Sequence, residues 1–125
     1  MLNCVFVGLG GFCGAVLRYL MGLVPLACVS RFPLTTFFIN ILGAFLIGIF
    51  SELAALRTSF SPQALLFLKT GLCGGFTTFS TFSLESAGLI SEGHTALAVL
   101  YMASSAAVCL VAVFAGKALV QCLCR

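Results

Sequence analysis

In a chain this poor in charge, the residues able to do chemistry are the polar ones set inside apolar stretches. Each must find a partner or a water-filled path in a medium that offers neither. The densest set is Thr70-Gly71-Leu72-Cys73-Gly74-Gly75-Phe76-Thr77-Thr78-Phe79-Ser80-Thr81-Phe82-Ser83, where glycines and hydroxyl side chains occupy the middle of an apolar run from Ala64 to Ile90. A straight helix is not expected there. Gly74-Gly75 followed by Thr77-Thr78 is expected to break the helix near the bilayer midplane, freeing main-chain carbonyls that are tolerable only if buried in protein or bound to an ion. Freed carbonyl oxygens favour a cation. Beyond the break, Phe76, Phe79 and Phe82 recur every three residues, so at least Phe79 and Phe82 project from one side. Phenylalanine usually packs, but an aromatic ring has a positive edge, and ring edges beside an amide donor and hydroxyls can hold a small anion in a narrow, nearly dry passage.

An amide is available on the second apolar run. Asn40 shares a helical face with Gly43, Ala44 and Gly48, so it points at a close neighbour and away from lipid. An interhelical hydrogen bond is the plainer use of it. On the fourth run Tyr101, Ser104, Ser105, Val108 and Cys109 fall at helical spacing on a single, mildly polar stripe, which suits either packing or a hydroxyl-lined track.

Other candidate chemistry is weaker. The seven cysteines are an odd number and fall mostly inside apolar runs, where they read as small packing residues. Cys122-Leu123-Cys124 gathers no further metal ligands, and His94 stands alone in a polar turn. Gly8-Leu9-Gly10-Gly11-Phe12-Cys13-Gly14 resembles a dinucleotide loop only faintly, because no strand precedes it. Gly10 and Gly14 make better sense as a small-residue face that lets another helix come close. No nucleophile, base and orienting group come together, and there is no ATP-binding motif. An enzyme or a nucleotide-binding protein is not expected.

The elements that must position these residues follow from composition. The chain has 125 residues, of which 62% are hydrophobic and 7% charged. Six basic and three acidic side chains with one histidine cannot clothe a water-soluble surface, so lipid must cover this protein. The net charge of +3 is too scattered for a nucleic-acid footprint. Four apolar stretches, at about 2–24, 34–56, 64–90 and 95–123, each exceed the roughly 20 residues needed to cross the hydrocarbon core. They are continuous and do not alternate with period two, which argues against a β-barrel. The expected fold is an all-α membrane protein with a single four-helix transmembrane domain over 1–125, its third helix broken.

The connections are short and rich in turn residues: Ser30-Arg31-Phe32-Pro33, Arg57 to Pro62, and Ser91-Glu92-Gly93-His94. Ser61-Pro62 reads as an N-cap followed by proline at the first helical position. No targeting peptide is expected from the start of the chain. Pro25-Leu26-Ala27-Cys28 matches a lipoprotein cleavage site only loosely. Arg57, Lys69, Lys117 and Arg125 bias one face toward the cytoplasm, against Arg31 and Arg18 on the other. Lys69 and Lys117 fall within the apolar runs, which leaves the loop charges nearly balanced, so that such a chain is able to insert both ways.

At these residues the chain resembles the Fluc family of small fluoride channels, also called CrcB, over nearly its whole length. The resemblance rests on Gly10-Gly11-Phe12-Cys13-Gly14-Ala15-Val16-Leu17-Arg18-Tyr19 in the first run and on the segment from Pro33 to Gly48, with Asn40 at its centre, in the second. The most specific block is Gly74-Gly75-Phe76-Thr77-Thr78-Phe79-Ser80-Thr81-Phe82-Ser83-Leu84-Glu85. The resemblance implies an antiparallel, dual-topology homodimer in the plasma or inner membrane, with fluoride pores along the subunit interface and passive export of fluoride. It implies that Phe79 and Phe82 form an aromatic box around fluoride, with Asn40 and Ser80 beside it. Tyr101 and Ser105 would continue a polar track, where Cys109 takes a place that is often serine. Main-chain carbonyls of Gly74 and Thr77 from both subunits would enclose a structural sodium ion. Arg18 would sit near a pore mouth or brace helix packing, and Glu85 would pair with it or shape an exit.

Two rivals are distinguishable. A proton-coupled exporter of the four-helix multidrug type relies on a carboxylate in the first span and on tryptophan cages, whereas here the first span has no acid and the chain has no tryptophan. A non-transporting assembly subunit would use its polar residues only for helix association and would pass no ions.

Overall fold

A computed structural model describes residues 1–24, 31–56 and 60–124. Cys28, Ser30, Arg57 and Arg125, invoked above for thiols, turns and topology, lie outside the described residues, as does the segment Pro25-Leu26-Ala27-Cys28. The regular elements among the described residues are all helical, with no strands among them. Helix α1 spans Leu2–Gly22 and α2 spans Leu34–Ala55. The third apolar run begins with α3, Pro62–Leu65, passes into a π-helical stretch, Leu66–Cys73, and ends in a single turn, α4, Gly74–Phe76. After an interruption it resumes as α5, Phe79–Ser91, and the chain finishes with α6, Thr95–Leu123. Helices α1, α2 and α6 are long and apolar enough to cross a membrane. The third run is divided among shorter pieces.

Local sequence explains where the elements start. Ser61 Oγ accepts a hydrogen bond from Ala64 N at 3.1 Å, and Pro62 follows where its missing N–H costs nothing, so the expected cap is present. Gly93 ends α5 with φ 82°, a left-handed turn that glycine adopts without strain, and reverses the chain into α6.

Packing depends on glycine faces. On α1, a Cβ at Gly10 would overlap the Phe67 carbonyl oxygen, and one at Gly14 would overlap the Leu72 carbonyl oxygen and crowd Phe76 N. The third run answers with Gly71 and Gly75, where added Cβ atoms would strike the main chain of α1 around Val7, Gly10 and Gly11. Two backbones therefore meet without intervening side chains, as the small-residue spacing of Gly10 and Gly14 predicts. In the same way α2 and α6 touch through Gly48 against Val113 and Gly116 against Phe45.

An interruption lies within the expected segment, at the threonine pair and not at the glycine pair. Gly74 is helical, with φ −65° and ψ −39°, and the glycine pair continues the helix. The chain departs from helix at Thr77 (φ −74°, ψ 155°) and Thr78 (φ −144°, ψ 113°). The physical reason is that Gly75 is held in the backbone contact with α1, while the two main-chain donors released at the threonines find other acceptors, Thr78 N–H on Asn40 and Thr81 N–H on the Thr78 hydroxyl.

This packing makes a direct prediction. Gly14→Val should cost several kcal/mol, about the size seen when a close contact is overpacked. Gly8→Ala, where nothing lies within 4 Å of an added Cβ, should be nearly neutral. Thermal unfolding of the two variants in detergent checks this, and similar melting temperatures would contradict it.

Candidate functional site

The interruption at Thr77–Thr78 is built by two diverted amides. In an uninterrupted helix the Thr78 N–H would bond the Gly74 carbonyl, and the Thr81 N–H would bond the Thr77 carbonyl. Here Thr78 N donates to Asn40 Oδ1 at 2.9 Å, and Thr81 N donates to Thr78 Oγ1 at 3.1 Å. Asn40 Nδ2 also donates to the Thr78 carbonyl at 3.2 Å, so one side-chain amide from α2 pairs with both main-chain groups of Thr78. Thr78 caps α5, and its hydroxyl donates to Thr81 Oγ1 at 2.9 Å. Thr77 is tied back to the preceding turn, with both its N–H and its Oγ1 donating to the Cys73 carbonyl at 3.0 and 2.9 Å. The carbonyls of Gly74 and Thr77 are thereby deprived of their regular helical donors.

Beside the interruption lies a cleft of about 360 Å³. Asn40, Gly43 and Ala44 line it from α2; Cys73, Gly74, Thr77 and Thr78 line it from the broken run. Phe79 and Phe82 come from α5, and Ser105 and Cys109 from α6. Phe79 is 79% exposed, with its ring centroid 5.6 Å from that of Phe82. Ser105 is only 6% exposed, and its Oγ has no hydrogen-bond partner among the described residues. Gly43 is needed here because a side chain would collide with the Thr77 methyl group.

The cleft therefore brings together Asn40, Phe79, Phe82, Ser105, Gly74 and Thr77. Ser80 is exposed and lies outside its lining, with its Oγ 3.4 Å from Thr78 Oγ1. Tyr101 is fully buried behind Phe82, at a ring separation of 5.1 Å, and its hydroxyl donates to Glu85 Oε2 at 2.8 Å. The other oxygen of Glu85 accepts from Thr36 Oγ1 at 2.7 Å. Arg18 and Glu85 both line a second cleft of about 450 Å³, together with Thr36, Thr78 and Thr81. Thr78 touches both clefts. Sequence reasoning placed Thr78 in the breaking segment but missed its role as the cap of α5, and it missed Thr36 as a partner of Glu85 and Cys73 as a lining residue. A run of threonines beside a packing glycine was the only signal for the first.

These features define a small helical membrane protein with a largely apolar cleft, bearing a few polar groups, beside an interrupted helix. Residues 5–117 match the family model described as CrcB-like protein, Camphor Resistance (CrcB). Among similar proteins, a Fluoride-specific ion channel FluC from Chlorobaculum tepidum is 49% identical over 97% of this chain and 96% of its own length. One of the same name from Agrobacterium fabrum is 45% identical over 95% of this chain and 96% of its own. Another from Rhizobium meliloti is 42% identical over 98% and 99%, respectively. The chain belongs to the CrcB family, and as such it is a multi-pass protein of the cell membrane.

Thr78→Val removes the cap of α5 while preserving shape, and should cost about 1 kcal/mol, whereas Thr78→Ser should retain most of that stability. Melting temperatures in detergent that failed to separate the two would show that the hydroxyl is not what starts α5.

Proposed function

We propose that this chain is the subunit of a fluoride-selective channel that lets fluoride leave the cell passively and so lowers its toxicity. It is a channel and not an enzyme. One observation carries the reading: an amide-held helix interruption, two phenylalanine rings and a buried hydroxyl without a partner all border one cleft. The relatives named as fluoride-specific channels support it.

Fluoride is small and strongly hydrated, so entry requires donors that replace its water. The Ser105 O–H is free to donate, and the edges of Phe79 and Phe82 present their positive rims. The interruption adds a field of its own. The N-terminus of α5 carries partial positive charge and favours an anion, while the C-terminal end of α4 presents carbonyl oxygens. A narrow path with these few donors would exclude larger halides by width. An inside-negative potential drives a unit negative charge outward by about 2.3 kcal/mol per 100 mV, so passive flow is export.

The finer architecture belongs to the same proposal. The halves of the third run, residues 62–76 and 79–91, amount to roughly 20 Å each at helical rise, enough together for the fourth crossing of a bilayer, with the interruption near its middle. The chain would form a single four-helix domain in lipid. The exposed ring of Phe79 needs cover, and a second, identical subunit in antiparallel orientation would supply it and close the cleft into a pore. The nearly balanced loop charges permit that dual topology.

The carbonyls of Gly74 and Thr77 fit a hard monovalent cation. They have lost their regular donors, both residues line the cleft, and nothing lies within 4 Å of where a Gly74 side chain would begin. Those residues, from both subunits, would hold a structural sodium ion, which when bound supplies positive charge at the dimer centre. Arg18, bordering the second cleft, would add positive potential at a pore mouth. Glu85, held by Thr36 and Tyr101, would fix the α5–α6 contact behind Phe82.

Liposomes containing the purified protein should release fluoride far faster than chloride, as read with ion-selective electrodes, and Phe82→Ile should slow fluoride by about tenfold or more while the protein still elutes as a dimer. Equal release of both halides, or normal flux in the variant, would refute the pore. Replacing all sodium with a large organic cation should abolish efflux or dissociate the dimer; unchanged flux and unchanged mass would remove the sodium assignment.

A further inference from the structure

Two thiols border the cleft: Cys109 stands in the polar track at a place that is often serine, and Cys73 has no part in the conduction reading. Cys73 ends the π-helical stretch and is 2% exposed, whereas Cys109 on α6 is half-buried. Both are free cysteines and both line the same cleft of about 360 Å³. Ser105 stands one helical turn before Cys109 on the same face, and its buried hydroxyl has no partner among the described residues. The wall that carries Cys109 therefore also holds a buried hydroxyl with no protein partner among the described residues.

The chemistry of the donors selects the guest. No group of three or more His, Cys, Asp or Glu side chains converges among the described residues, so nothing there builds a tetrahedral zinc cage. Two sulfurs are the ligand set of a soft monovalent cation, since thiolates select metals of the copper(I) type. We propose that the cleft is also a soft-cation site, in which Cys109, with Cys73 as the second ligand, takes up a thiophilic monovalent cation of the Ag⁺ or Cu⁺ class and closes the path. In each thiol the S–H bond breaks as the sulfur–metal bond forms. The protons leave to water, and no electron changes hands. Two thiolates and one cation carry a single negative charge, which in a cleft of low dielectric repels an entering anion. The effect on flow rests on the channel reading above, but the binding does not.

The probe is silver nitrate, applied in nitrate salts to a variant in which Cys4, Cys13, Cys28, Cys122 and Cys124 are replaced by serine. Native mass spectrometry should find one retained Ag⁺ per subunit, and micromolar Ag⁺ should slow fluoride efflux from liposomes by about tenfold or more, reversed by excess glutathione. Adding Cys109→Ser should abolish silver retention and make efflux insensitive to silver relative to that variant's own silver-free rate. Adding Cys73→Ser should weaken retention by about tenfold or more. A five-serine variant that retains no silver, silver block that survives Cys109→Ser, or retention indifferent to Cys73→Ser would overturn the proposal. If the five-serine variant does not fold, wild type and Cys109→Ser are compared directly, and equal silver counts overturn it. Absence of efflux before silver is added would sink the channel reading, while silver stoichiometry would still decide the site.

Discussion

Two amide protons that fail to reach their helical acceptors determine the interior of this protein. Thr78 N–H goes to Asn40 Oδ1 and Thr81 N–H to Thr78 Oγ1, so the carbonyls of Gly74 and Thr77 lose their regular helical donors. Inside a lipid-covered fold such groups are expensive to leave unmade, at about 1–3 kcal/mol each for a buried donor or acceptor. Asn40 offsets this by matching Thr78 at both ends, as acceptor and as donor. The extended geometry at Thr77–Thr78 then starts a new helix whose first turn points Phe79 and Phe82 into the cleft.

The interruption must be held from outside, and glycines make that possible. Gly10 and Gly14 bring α1 against the first half of the broken run, where Gly71 and Gly75 receive it backbone to backbone. From the other side, Gly43 lets α2 approach until the Asn40 amide reaches Thr78. Behind the rings, Tyr101 packs at a tilt against Phe82 and is fixed by Glu85, which Thr36 of α2 also holds. Position is thus set by rigid main-chain contacts and a few buried polar bonds, with little contribution from charge.

Much of this was legible in the sequence because lipid imposes simple rules. Continuous apolar runs gave the long helices, and an asparagine on a glycine face had to point at protein. Within the breaking segment the share of the glycine pair was overrated, since a glycine needed for close approach and a glycine needed for conformational freedom look the same in one dimension. Gly74-Gly75 stays helical, and the Asn40 amide together with the Thr78 hydroxyl carries the change. Tyr101 and Ser105 share a helical stripe, yet the former is buried against Glu85 and the latter lines the cleft. Cys73 was read as packing because its access to the cleft depends on the winding of the π-helical stretch.

The most direct measurement is the rate of fluoride release from liposomes carrying Asn40→Asp. Aspartate keeps an acceptor for Thr78 N–H but has no N–H for the Thr78 carbonyl, so it breaks one half of the clasp while preserving size. Release slowed by about tenfold or more, with the dimer intact, is the predicted result. Release at the wild-type rate would contradict a path organised by that amide.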